Sequence, residues 1–227
     1  TDVATHTKRI VFHPGMLPGR VICDPELTVG LPANLTAWVG IDALSHNLEA
    51  WCAKGFHPLA DGIALEGMRL VHQSLVRAVE NPGDRTARAE MMAASLMGAT
   101  AFQKGLGAMH AMAHPIGAVH DTHHGLTNAI VMPYVLEHNA SVVAERLERA
   151  ARYLGLPPSF SGFLDWVLAL RSELQIPSTL AEVGIDPDAA AKLADAAAAD
   201  AAGGTNPIPL TSDSLRTLLR RSAGETS

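Results

Sequence analysis

Hydrophobic residues recur at three- and four-residue intervals through most of the 227-residue chain, the period of helices that bury one face. The spacing predicts helices over 32–39, 41–53, 58–80, 84–104, 106–119, 125–138, 142–153, 161–174, 187–202 and 212–221. Before position 24 the pattern differs. Two short β-branched or apolar runs, 8–12 and 20–23, flank His13-Pro-Gly-Met-Leu-Pro-Gly19, whose glycines and prolines favour turns, so a strand pair is expected there. Helix ends carry matching punctuation: Asn81-Pro-Gly83 stops one helix and Asp84 offers a carboxylate to cap the next. Gly155-Leu-Pro-Pro158 and Gly203-Gly204-Thr-Asn-Pro207 break two others, while the alanine-rich run 188–202 reads as continuous helix on propensity alone. With no internal repeat and no linker, the expected fold class is all-α, a helical bundle over residues 31–227 preceded by a short N-terminal β segment within residues 1–30.

Composition narrows the setting. Hydrophobic residues make up 48% and charged residues 18%, enough apolar surface for a sizeable core, and the 4% aromatic content points to helices packed through small side chains. A formal charge of −6 offers no basic footprint, so nucleic acid is not an expected partner. Cys23 and Cys52 are too few for a disulfide framework, and neither has a second cysteine at metal-ligand spacing, which favours a reducing, cytoplasmic setting. No run approaches the roughly 18 apolar residues of a membrane span, and Thr1-Asp-Val-Ala-Thr-His6 lacks the charged and apolar regions of a signal peptide.

Histidine placement changes the picture most. Five of the eleven histidines, His110, His114, His120, His123 and His124, fall between positions 110 and 124, and Asp42 and His46 form an upstream pair. Residues four apart on a helix share a face, so Asp42 with His46, and His110 with His114, can each present two groups to one ion. His124 follows a break at Thr122-His123, and either His120 or His123 could take its place if that loop folds differently. Imidazole and carboxylate without cysteine argue against a structural zinc and for a catalytic divalent ion with an open position, acting as a Lewis acid. Asp121 is read as a loop cap. His6, His13, His57, His72 and His138 are structural or surface residues, and Met91, Met92, Met97, Met109 and Met112 core filling.

Other assignments remain. His120-Asp121 among helical histidines also fits a metal-dependent phosphohydrolase of the HD type, although that chemistry needs basic phosphate-binding residues and only Lys104 is near in sequence. A non-catalytic helical module for metal binding or dimerisation is the third reading.

Four separated segments carry a more specific likeness: Gly40-Ile-Asp42-Ala-Leu-Ser-His46, Phe56-His-Pro-Leu-Ala-Asp-Gly62, Ala101 through His110-Ala-Met-Ala-His114 to Gly117, and His124-Gly125. In order and spacing they resemble the iron-containing (group III) alcohol dehydrogenase family, specifically its C-terminal helical metal-binding domain, of the dehydroquinate synthase-like fold. The resemblance implies an oxidoreductase that holds one Fe(2+), or in some members Zn(2+), on Asp42, His46, His110 and His124. It implies that His114 lies near the nicotinamide and substrate, as a proton relay or ring-positioning group, and that Phe102 lines the substrate pocket. The implied reaction is reversible oxidation of a small alcohol to an aldehyde, with NAD or NADP as hydride acceptor and the ion acting as a charge.

Family members also carry an N-terminal nucleotide-binding domain with glycine-rich turns. Gly203-Gly204 and Gly105-Leu-Gly107 lack the strand and spacing of such a turn. Residues 1–30 are therefore expected to be a junction left from that absent domain, and the isolated chain to bind metal, hold NAD poorly and turn over weakly or not at all. Thr205-Asn-Pro-Ile208 lacks the arginine that often follows Asn-Pro in relatives. A homodimer completes the expected partners.

Overall fold

The helical periodicity resolves into nine α-helices among the described residues of the computed structural model, which are Asp2 and residues 13–225. They are α1 (Ala33–Cys52), α2 (Pro58–Glu80), α3 (Arg85–Ala101), α4 (Ala108–His120), α5 (His124–Leu154), α6 (Phe160–Glu173), α7 (Pro187–Ala191), α8 (Ala194–Ala198) and α9 (Ser212–Ser222). Local chemistry fixes many of the ends. Asp84 accepts the Ala87 N–H at 2.9 Å to open α3, Ser159 accepts that of Gly162 to open α6, and the His57 ring accepts that of Ala60 to open α2.

The expected strand at 20–23 is corrected. Residues 20–23 are exposed irregular chain, and the companion run 8–12 lies outside the described residues. The proline-rich segments around 20–23 instead form 3-10 turns, Pro14–Met16 and Pro25–Thr28, closed by the side chains of His13 and Asp24 on nearby backbone N–H groups. Among the described residues the regular elements are all helical, an isolated bridge at Asp2 aside.

Three helix boundaries also differ from the periodicity. The runs 32–39 and 41–53 fuse into α1, Gly40 serving as a site of close packing and not a break: a Cβ there would lie 2.1 Å from Leu75 Cδ1 of α2. The runs 125–138 and 142–153 fuse into α5, since the Asn139 side chain is occupied by Asn206 and does not compete for the helix backbone. The alanine-rich run does the opposite and divides into α7, α8 and a 3-10 turn, Ala201–Thr205. Ala190, Ala191, Ala194 and Ala197 are buried, α7 and α8 against α9 and α8 also against α4, so packing overrides propensity and bends the chain.

Helix α1 is central, packing against α2, α3 and α5, while α4 and α6 flank α5. Leu44, Leu48, Met68, Leu75, Met112 and Ile130 are fully buried between them, and alanines such as Ala64, Ala94 and Ala108 let the axes approach. A polar latch joins α1 to α5: the Trp51 indole donates to the Arg146 carbonyl at 3.0 Å, and Arg146 returns a bond to the Trp51 carbonyl at 2.8 Å with its guanidinium over the ring. Asp61 completes the latch by pairing with Lys104 and Arg146. Among the described residues no helix is long and apolar enough to cross a membrane.

Candidate metal centre

Three helices deliver the histidine–carboxylate cluster. Asp42 projects from the middle of α1, His110 from the first turn of α4, and His124 is the first residue of α5. The start of α5 can reach α1 only because residue 125 is glycine: a Cβ there would lie 2.2 Å from the Trp38 carbonyl oxygen and 3.2 Å from Asp42 Cβ. One ligand atom from each of Asp42, His110 and His124 lies within 4.8 Å of the other two. Asp42 Oδ1 is 3.5 Å from His124 Nε2 and 3.9 Å from His110 Nε2.

The chemistry at the point of convergence suits a cation. The Asn128 side-chain nitrogen donates to Asp42 Oδ1 at 2.8 Å and is 3.4 Å from His110 Nε2 and 3.2 Å from His124 Nε2. One NH₂ group thus stands before a carboxylate oxygen and two ring nitrogens, a set of ligand atoms suited to a divalent ion. Burial opposes charge on Asp42, but His46, His124, His110 and the Asn128 bond together hold its carboxyl below the usual range, so it is anionic.

Glu49 sets the direction of His110. Its Oε2 lies 2.7 Å from His110 Nδ1, and its Oε1 accepts the Met109 N–H at 2.7 Å in the first turn of α4. With Nδ1–H donating to this carboxylate, Nε2 presents its lone pair to the cluster, the arrangement that orients metal-binding imidazoles. Burial pulls the His110 pKa down, and the bond and charge of Glu49 more than offset it, leaving the ring more basic than usual.

The other sequence-predicted residues lie around this core. His46 is outside the tight three-atom group: its Nε2 is 4.0 Å from Asp42 Oδ2, and its ring stacks on His110 at 4.8 Å between centroids. Burial lowers its basicity. His114 stacks on His124 at 5.4 Å and points Nδ1 at Asp200 Oδ2, 2.9 Å away. Phe102 borders the cluster through His46, centroid to centroid 5.2 Å. His123 turns to Trp38, and Asp121 is an exposed residue in the left-handed conformation that ends α4, so His120-Asp121 does not join the group.

Three neighbours escaped the sequence reading. Glu49 had a signal, since 42, 46 and 49 share one face of α1, and Asn128 stands one turn after His124. Asp200 had none: only the bend of the alanine-rich run brings it to His114.

A bundle whose central helices focus a carboxylate and imidazoles on one point belongs to a class built for ion-assisted chemistry. Comparison with known proteins specifies the class. The family model for the Fe-containing alcohol dehydrogenase family, C-terminal, matches residues 36–223. A 4-hydroxybutyrate dehydrogenase of Cupriavidus necator is 39% identical over 225 residues, covering 95% of this chain and 59% of its own length. An NAD-dependent methanol dehydrogenase of Bacillus methanolicus is 35% identical, with 97% and 60% covered. The solved iron-containing alcohol dehydrogenase of Thermococcus thioreducens superposes with a TM-score of 0.87 at 29% identity, over 95% of this chain and 57% of that one. The chain belongs to the Fe-containing alcohol dehydrogenase family and spans about three-fifths of the length of these curated relatives.

Proposed function

We propose that Asp42, His46, His110 and His124 hold one divalent ion, Fe(2+) or Zn(2+), and that the chain is the ion-binding part of an NAD- or NADP-dependent dehydrogenase acting on a small alcohol or aldehyde. The observation that carries this reading is the convergence of Asp42 Oδ1, His110 Nε2 and His124 Nε2 within 4.8 Å of one another. When bound there, the ion supplies Lewis acidity toward an alcohol oxygen.

The chain's own residues do the rest. Glu49 holds the His110 ring in one orientation and tautomer, and Asp42 supplies anionic charge to the cluster. His114, paired with Asp200, stands beside His124 and is assigned the proton-handling and nicotinamide-facing role. Phe102, against His46, is assigned the apolar edge of the substrate pocket. Residues 1–30 are proposed as the junction to a nucleotide-binding domain, and the unpaired Cys23 and Cys52 favour a cytoplasmic setting.

Metal analysis after loading with Fe(2+) or Zn(2+) tests the reading. The unmodified chain is expected to retain close to one equivalent, and Asp42→Ala and His110→Ala to fall to background while keeping their helical circular dichroism. Equal retention by all three proteins would refute the assignment. Joined to a family nucleotide-binding domain, the chain is expected to support NAD(P)-linked alcohol oxidation that His114→Ala lowers without loss of metal.

A further inference from the structure

Apart from the histidine cluster, a cavity of about 170 Å³ opens between the segment following the Pro25–Thr28 turn and helices α1, α2 and α3. Its wall is largely aliphatic, with Leu31, Val39, Ala78 and Met91 contributing. One lining side chain is a cation. Arg88 is 3% exposed, donates through Nε to the Pro82 carbonyl at 3.3 Å and through Nη1 to Thr36 Oγ1 at 2.9 Å, and Thr36 also lines the cavity. Among the described residues, Arg88 Nη2 is buried with no hydrogen-bond partner.

Among the described residues no carboxylate pairs with this guanidinium. The acidic groups nearest in sequence are committed elsewhere: Asp84 to Arg77 and the Ala87 N–H, Glu90 to Arg77 and the Ser74 hydroxyl. A buried charge without a counter-ion is unfavourable, and a guanidinium with a spare N–H is the group best suited to a carboxylate. Apolar surroundings add a second requirement, because a bare inorganic anion would leave the aliphatic wall unfilled.

We propose that this cavity is a binding site for a small aliphatic monocarboxylate, its carboxylate paired with Arg88 and its tail against the walls from α1, α2 and α3. An apolar cavity of about 150 Å³ accommodates a benzene ring, so a tail of about six carbons is the expected upper size. The site shares no lining residue with the ion cluster and stands independently of the dehydrogenase reading.

Hexanoate is the probe, with hexan-1-ol as its neutral analogue and chloride as a bare anion, each titrated against the chain and followed by Tm and by ligand-observed NMR. Hexanoate is expected to bind saturably and raise Tm, and neither comparator to match it at equal concentration. Arg88→Met should weaken hexanoate binding roughly tenfold, the effect of one charge-assisted bond. Ser95→Trp, at an exposed position of α3 bordering the cavity, should abolish it without disturbing the core, and decides the matter should Arg88→Met fail to fold. Unchanged hexanoate binding by Ser95→Trp, a chloride shift equal to that of hexanoate, equal binding of hexan-1-ol, or no saturable binding would each overturn the proposal.

Discussion

Two histidine–carboxylate pairs lie one turn apart on α4, and they are built differently. His110 and Glu49 have side chains 2% and 4% exposed, and both Glu49 oxygens are used, one by the ring and one by the helix backbone. His114 and Asp200 are 12% and 15% exposed, and Asp200 comes from a bend between short helical pieces, where its second oxygen caps the Ala201–Thr205 turn. The same Nδ1-to-carboxylate geometry therefore serves two ends. The first pair is locked into the core and fixes where a lone pair points; the second sits nearer solvent, on a bend of the chain.

The sharpest way to break the contrast is Glu49→Ala, which leaves the His110 ring and the Met109 N–H without their buried acceptor. We expect a loss of about 3–5 kcal/mol in urea unfolding, the usual cost of breaking a buried pair. Glu49→Gln should fold better and still bind metal 10–100-fold more weakly, roughly the effect of removing an outer partner of a ligand. A Glu49→Ala protein as stable as its parent would show that the pair is not a lock.

Next in size is Gly125→Ala, whose added methyl meets the Trp38 carbonyl. It should cost about 1–3 kcal/mol by overpacking and reduce metal retention by displacing His124. Asp200→Asn should cost less than either and leave metal content unchanged. The folded-state pKa of Asp200 is lowered, burial opposing the charge and the His114 and Ala202 bonds outweighing it. Its stabilisation is thus complete above the ordinary carboxylate value of 3.8 and lost as pH falls below it. The stability gap between parent and Asp200→Asn in metal-free protein should accordingly narrow on acidification through that range; a gap that widens would reverse the sign.

Asp121→Gly is the smallest expected change. Asp121 has φ +54 at the end of α4, a conformation that glycine adopts freely, so stability should shift by no more than about 0.5 kcal/mol and metal retention not at all. A large fall in metal content would return His120-Asp121 to consideration.

What the sequence could disclose follows the range of the forces involved. Caps and breakers such as Asp84, Asn81-Pro-Gly83 and Gly155 act on their own neighbours, and the helices begin or end beside them. The fusions at Gly40 and Asn139 depend on Leu75 and Asn206, distant partners that no local window contains. The division of the alanine-rich run is likewise a tertiary effect, and with it went any view of Asp200. At the candidate centre, four-residue spacing was enough to nominate Asp42 and His110, whereas spacing alone left His120, His123 and His124 open: the family resemblance favoured His124, and the start of α5 there gives the physical reason. The N-terminal strand reading failed at 20–23 because β-branched residues describe a preference for a pleated surface, which by itself does not make a strand.

The Trp51–Arg146 latch has a consequence for how α5 tolerates change. It anchors α5 lengthwise on α1, some six turns beyond the end that bears His124. One residue inserted between those two points would swing the imidazole by about 100° around the helix axis while the anchor stayed put. Insertions beyond residue 146 would leave it where it is. The geometry therefore tolerates added length in this helix only at its far end.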